Sequence, residues 1–306
     1  MRYEFKKIVK NDYETYKYLL KIYNSISYCK DKEMIFDLFG TQRFESNLIA
    51  VLYLIIELAN NYGKVISFIM PDNKIYNGKD GAYKCFNYYA NKSYRKSFFK
   101  PRCIIGNPNK KEIEDVLTKF LYELELFEQD KISIMISELI ANIKMHVISN
   151  NVDCKGFMCS AVTLDNKDLY ITIINDGKSI RNILKDNRME FKSDAEAIFW
   201  ALRKSNSTRK DDEAGGLGLY LLRKYISELN GDITICSGCE VILLENGGYL
   251  FEDENCNVGE NRFKKLSTEF DGTLIALRIP YKKRIVIDNN ASEDKKYTDI
   301  VHIYKE

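Results

Sequence analysis

Apolar and polar positions follow two periods along the chain, and the change from one to the other marks its elements. "EMIFDLFG" (33–40) and "KVISFIMP" (64–71) are short apolar runs, the second rich in β-branched and aromatic residues. Between them, "ESNLIAVLYLIIELANNYG" (45–63) has the length and pattern of a helix, with Gly63 just past its end. This strand–helix–strand unit is of the kind that builds a parallel or mixed sheet. Residues 76–103 follow with glycine turns, a tyrosine-rich amphipathic helix and a stop at Pro101. "PRCIIGNPNKKE" then concentrates Pro, Gly and Asn, so a boundary is expected near 101–110.

The second part reads as helices over 110–127 and 130–149, then two strands, "KGFMCSAVTL" and "DLYITIIND", turned at Asp165-Asn166. A helix near 193–205, a loop over 206–215, a helix from 217 to about 229 and the strand "DITICSG" come next. The helix near 217 closes on Asn230-Gly231. Residues 240–268 read as an added hairpin and loop, "GTLIALRIP" (272–280) as the last core strand, and the charged tail as frayed.

Composition narrows the class. A chain of 306 residues allows two modest domains, and 29% charged with 45% hydrophobic residues is that of a globular protein. We expect domains over 1–105 and 106–283, with 240–268 as an insertion and 284–306 as a tail. A net charge of +2 advertises no nucleic-acid footprint. No run approaches the roughly 18 apolar residues of a membrane span, and the first residues lack a signal peptide's apolar core, so a cytoplasmic location is expected. The eight cysteines read as reduced thiols, and Cys236-Ser-Gly-Cys239, without a second pair, as a strand end and turn.

Three stretches could carry chemistry. On the helix 131–148, Ile132, Ile136, Leu139, Ile140, Ile143 and Val147 form an apolar stripe, and Glu138, Asn142 and His146, four apart, line an adjoining face. A carboxylate one turn from a carboxamide can activate water and help to hold Mg²⁺ on phosphate oxygens; the same pair is also an ordinary solvated face. "YITIINDGKSI" (170–180) ends a strand in Asn175, Asp176 and Gly177, which could meet an adenine amine or simply form a turn. "SNSTRKDDEAGGLGL" (205–219) sets hydroxyls, Arg209, Lys210 and glycines ahead of a helix, an arrangement suited to phosphate, although a surface loop is the plain alternative. It is not GxxxxGK[ST], and no predicted strand precedes it as a dinucleotide fingerprint requires.

The order of these pieces resembles the GHKL ATPases, the fold shared by histidine-kinase catalytic domains, Hsp90, gyrase B and MutL. "ELIAN", then "NDGKSI", then "STR...GGLGL", then "GTLIALRIP" fall in that family's order across about 110–281. The resemblance implies an α+β fold, a two-layer α/β sandwich with a mixed sheet (the Bergerat fold), binding ATP and Mg²⁺. It implies Asn142 as the Mg²⁺ ligand and Glu138 as the general base. Around ATP it implies His146, Asn175, Asp176, Gly177, Ile180, Ser207, Thr208, Arg209, Lys210, Gly215, Gly216, Leu217, Gly218, Leu219 and Thr273. The sequence departs from the family pattern at Asn175, where an aspartate is usual, at Ser179, where the second glycine would stand, and at Ala214 in the lid. Asp176 takes the adenine position if the register slips by one.

The N-terminal unit resembles, more weakly, a STAS domain, the phospho-switch of bacterial anti-anti-sigma factors. That likeness puts Ser46 at the phosphorylatable position, where a helix N-cap explains it equally well. The expected function is that of a slow ATPase acting as a nucleotide-dependent switch toward a protein partner or a second copy of itself. An anti-sigma-type serine kinase and a non-hydrolysing nucleotide sensor are the alternatives. With only two histidines, His146 and His302, orthodox histidine autokinase activity is not expected.

Overall fold

The computed structural model describes residues 1–103, 128–143, 156–163, 168–204, 206, 218–244 and 263–280. The chain runs β1 (Arg2–Glu4), β2 (Ile8–Val9), α1 (Tyr13–Ser25), β3 (Glu33–Asp37), β4 (Arg43–Phe44), a 3₁₀ turn (Ser46–Leu48), α2 (Ile49–Asn61), β5 (Val65–Ile69), β6 (Ile75–Asn77), α3 (Gly78–Ser93) and β7 (Tyr94–Cys103). It continues with α4 (Gln129–Ile143), β8 (Gly156–Thr163), β9 (Asp168–Asp176), α5 (Ile180–Asp186), α6 (Asp194–Ala201), α7 (Gly218–Glu228), β10 (Asp232–Leu244) and β11 (Phe263–Pro280). Residues 110–127, read as a helix, lie outside the described residues.

The expected strand–helix–strand unit is β3–α2–β5, a parallel pair in register Met34 to Ile66 and Phe36 to Phe68. It forms the centre of a four-stranded mixed sheet, β1-β3-β5-β6, in which β6 alone is antiparallel. The alternation buries Met34, Phe36, Ile66 and Phe68 and leaves Glu33 and Val65 exposed. The helix α2 ends at Asn61, two residues before Gly63. Its start differs from expectation: Leu48 is the N-cap residue and no side chain caps the helix. Ser46 is therefore not the N-cap, because the chain first makes the 3₁₀ turn, with Leu48 N donating to Glu45 O at 3.0 Å.

The second sheet has the order β10-β11-β9-β8-β7, and its pairings among the described residues are all antiparallel. The strand β7 begins directly after α3, so residues expected to end the N-terminal region instead supply this sheet's edge. Pro101 lies in this edge strand, the place in a sheet where proline is tolerated.

Alternation along the strands divides the second sheet's two faces. Ile171 and Ile173 of β9, Ile233 and Ile235 of β10, and Ile275, Leu277 and Ile279 of β11 share a core with Ile132, Ile136, Leu139 and Ile140 of α4 and Leu222 and Ile226 of α7. This is the α/β sandwich. On the opposite face, Ile174, Cys236, Leu274 and Ala276 join the core built by α1, α2 and the first sheet. Polar contacts fix the same interface: Asn47 Nδ2 donates to Thr172 Oγ1 at 2.9 Å, Tyr13 to Lys265 O at 2.7 Å and Asn24 to Glu269 O at 2.7 Å. Tyr23 meets Phe270 edge-on at 5.5 Å between centroids. The five-stranded sheet thus lies between its helix layer and the N-terminal unit. Among the described residues, no helix is long and apolar enough to cross a membrane.

Candidate functional site

The stripe on α4 turns Ile132, Met135, Ile136, Leu139 and Ile140 into the core and leaves Glu138 and Asn142 partly buried at its edge. The helix α7 runs antiparallel to α4. At one end of the pair, Lys131 Nζ bridges Glu228 at 2.8 Å and Glu128 at 3.1 Å, which hold the ammonium above its ordinary pKa. At the other end is Gly218, the first residue of α7. A Cβ built there would lie 2.8 Å from Glu138 Oε2 and 3.0 Å from Asn142 Nδ2, so any larger residue at 218 must displace these side-chain ends. Three residues expected from two distant motifs are brought together here.

The same closeness brings the backbone N–H groups at the start of the described α7 beside Asn142. A helix N-terminus favours anions through those donors and its dipole, and a carboxylate with a carboxamide oxygen offers the hard donors that Mg²⁺ prefers. Residue types and placement therefore fit a metal–phosphate group. Leu219 packs against the helix-layer core. His146, Ser207, Thr208, Arg209, Lys210, Gly215, Gly216 and Leu217 lie outside the described residues.

The second wall is the end of β9. Asn175 is 2% exposed and directly opposite Thr273 of β11 in the ladder, with Gly156 of β8 on its other side. Both Asn175 and Thr273 continue the alternation of Ile171, Ile173, Ile275 and Leu277, which puts them on the helix-layer face. Asp176, paired with Gly272, falls on the opposite face. The Asn175 amide donates from Nδ2 to Asp176 O at 3.0 Å, which makes Oδ1 its acceptor end. Gly177 has φ 137°, a conformation open to glycine, and Ser179 is the N-cap of α5, accepting from Asn182 N at 3.2 Å. A serine is thus at home where the family pattern has its second glycine.

One buried hydroxyl beside these strand ends had no sequence signal. Ser237, 1% exposed on β10, accepts from Ile180 N at 2.8 Å, donates to Gly272 O at 2.9 Å and lies 3.2 Å from Thr273 Oγ1. It ties the start of α5 to the strand end that carries Thr273. Beyond it, Gly238 at φ 65° makes a bulge on which Asp194 sits, and Cys239 N donates to Asp194 Oδ2 at 2.9 Å. Glu240 returns the contact by accepting from Ala195 N, so the N-terminus of α6 is locked to β10. Burial raises the Cys236 thiol pKa, and no metal-binding cluster is found among the described residues.

The family described as histidine kinase-, DNA gyrase B-, and HSP90-like ATPase matches residues 127–282, slightly over half of the chain. The chain belongs to this family of ATP-binding proteins. No curated protein and no solved structure gives a significant match.

Proposed function

We propose that this chain binds ATP with Mg²⁺ between the α4–α7 contact and the Asn175–Thr273 strand ends, and hydrolyses it slowly as a nucleotide-dependent switch. The observation that supports the reading is the approach of Gly218 to Glu138 and Asn142, which brings the candidate base and the candidate metal ligand against the start of the described α7. Asn142 would hold Mg²⁺ through its amide oxygen; bound Mg²⁺ would neutralise phosphate charge. Glu138 would take the proton of the attacking water. Asn175 Oδ1 would accept from the adenine amine, with Thr273 beside it. Residues 205–216 would serve as the phosphate lid, with Arg209 or Lys210 reaching the phosphates.

The serine-kinase alternative has less support as a reaction within one chain. The turn that begins at Ser46 packs on the outer face of the sheet, where its neighbour Asn47 bonds Thr172, whereas Glu138 and Asn142 stand on the helix face. The sheet separates them, so transfer to Ser46 would need a second copy.

Calorimetry with ATP and Mg²⁺ tests binding, and turnover tests hydrolysis. Wild type should bind, and Asn142→Ala should weaken the Mg²⁺-dependent part. Glu138→Gln should keep binding while turnover falls by about 10²- to 10⁴-fold. Wild type and Asn142→Ala that do not differ in binding would refute the site, and turnover unchanged in Glu138→Gln would refute the base.

A further inference from the structure

A cavity of about 170 Å³ lies between the N-terminal unit and the outer face of the five-stranded sheet. From one side Asn11, Asp12 and Glu45 line it; from the other, Tyr170, Thr234 and Arg278. The last three share the outer face with Thr172, Ile174, Leu274 and Ala276, so the sheet separates this cavity from Glu138 and Asn142.

The polar groups of the wall are mostly acceptors. Glu45 is 4% exposed, and its carboxylate accepts from Asn11 N at 2.6 Å and from Arg43 at 3.2 Å. Burial pushes its carboxyl above the ordinary range, although Asn11 N–H and Arg43 pull the other way. Asn11 Oδ1 is buried and has no hydrogen-bond partner. Arg278 is already held between Asp232 and Asp168. Lys10 stands 60% exposed at the mouth, 3.7 Å from Asp12. Leu243 and Ala276 supply an apolar side.

We propose that this cavity is a binding site for a small organic ammonium ion, with its N–H groups on Glu45 and Asn11 Oδ1 and its hydrocarbon against Leu243 and Ala276. An anion would face the Glu45 carboxylate, and a purely apolar ligand would leave Asn11 Oδ1 unsatisfied. An ammonium group meets both needs with three donors. The size suits a compact ligand, since an apolar cavity of about 150 Å³ admits benzene. Because both halves of the molecule line the cavity, a bound ligand stabilises their docking by mass action.

The test uses the full chain, with butylammonium chloride as probe and sodium butyrate and butanol as controls, followed by calorimetry and thermal melting. Butylammonium should bind and raise the melting temperature, and the controls should do neither. Glu45→Gln should weaken butylammonium by about tenfold. Asn11→Ala, at a partly exposed position, should weaken it as well and carries the test if Glu45→Gln fails to fold. No heat with butylammonium at millimolar concentration, equal binding of butyrate or butanol, or full affinity in the folded variants would each overturn the proposal.

Discussion

Gly218 stands so near Glu138 that a methyl group in place of its hydrogen would meet the carboxylate oxygen at 2.8 Å. The neighbour is the far end of a side chain, so the fold can yield by moving the Glu138 carboxylate away from its position. Gly218→Ala should therefore keep α7, which alanine favours by up to about 1 kcal/mol over glycine. ATP turnover should nevertheless fall, by about 10- to 100-fold, because the carboxylate is displaced. Circular dichroism and steady-state turnover on the same sample check both halves.

Ser237→Ala removes the hydroxyl shared by Ile180 N, Gly272 O and Thr273. Two buried backbone groups lose a partner, which costs about 1–3 kcal/mol. Urea denaturation should show a lower midpoint at an unchanged slope, and ATP affinity should drop. A midpoint equal to wild type would mean that water replaces the hydroxyl.

Thr172→Val reports on docking between the N-terminal unit and the sheet. Asn47 and Thr172 are both fully buried, and valine leaves the Asn47 amide without this acceptor. A loss of about 1–3 kcal/mol is expected by chemical denaturation. If only the N-terminal unit loosens, hydrogen exchange should rise in α1 and α2 before α4.

Asp37 gives a pH dependence. Burial raises its carboxyl pKa, but the Phe39 N–H at 2.9 Å and the Arg2 guanidinium outweigh it and hold the pKa below its ordinary value of 3.8. A carboxyl with a lowered folded pKa stabilises the fold fully above its unfolded value, and that contribution is lost as pH falls through the folded pKa. Wild type should therefore lose stability below about pH 4 more steeply than Asp37→Asn, which should be less stable at pH 7. Urea midpoints of both proteins between pH 2.5 and 7 would measure the difference.

Much of this molecule was legible locally because the signals are local. The αL residue Asn230 closes α7, with Gly231 N bonding Ile226 O at 2.9 Å, where the Asn-Gly pair foretold an end. Helical spacing alone put Glu138 and Asn142 on one face of α4. The strand 272–280 was read correctly, and the structure extends it back to Phe263, the return arm of the expected hairpin.

Relations between distant residues were settled only by the tertiary structure. Register decides that Asn175 rather than Asp176 shares a face with Thr273, because shifting a strand by one residue exchanges its faces. The strand β7 has no clear period of two and carries a proline, so only its ladder to β8 identifies it. Ser237 acts through three partners at 35 to 57 residues' separation, which no spacing rule encodes. Periodicity and turn residues report on the chain's own torsions and faces. Which face meets which partner depends on packing across the whole fold, and only there do Gly218, Glu138 and Asn142 come together.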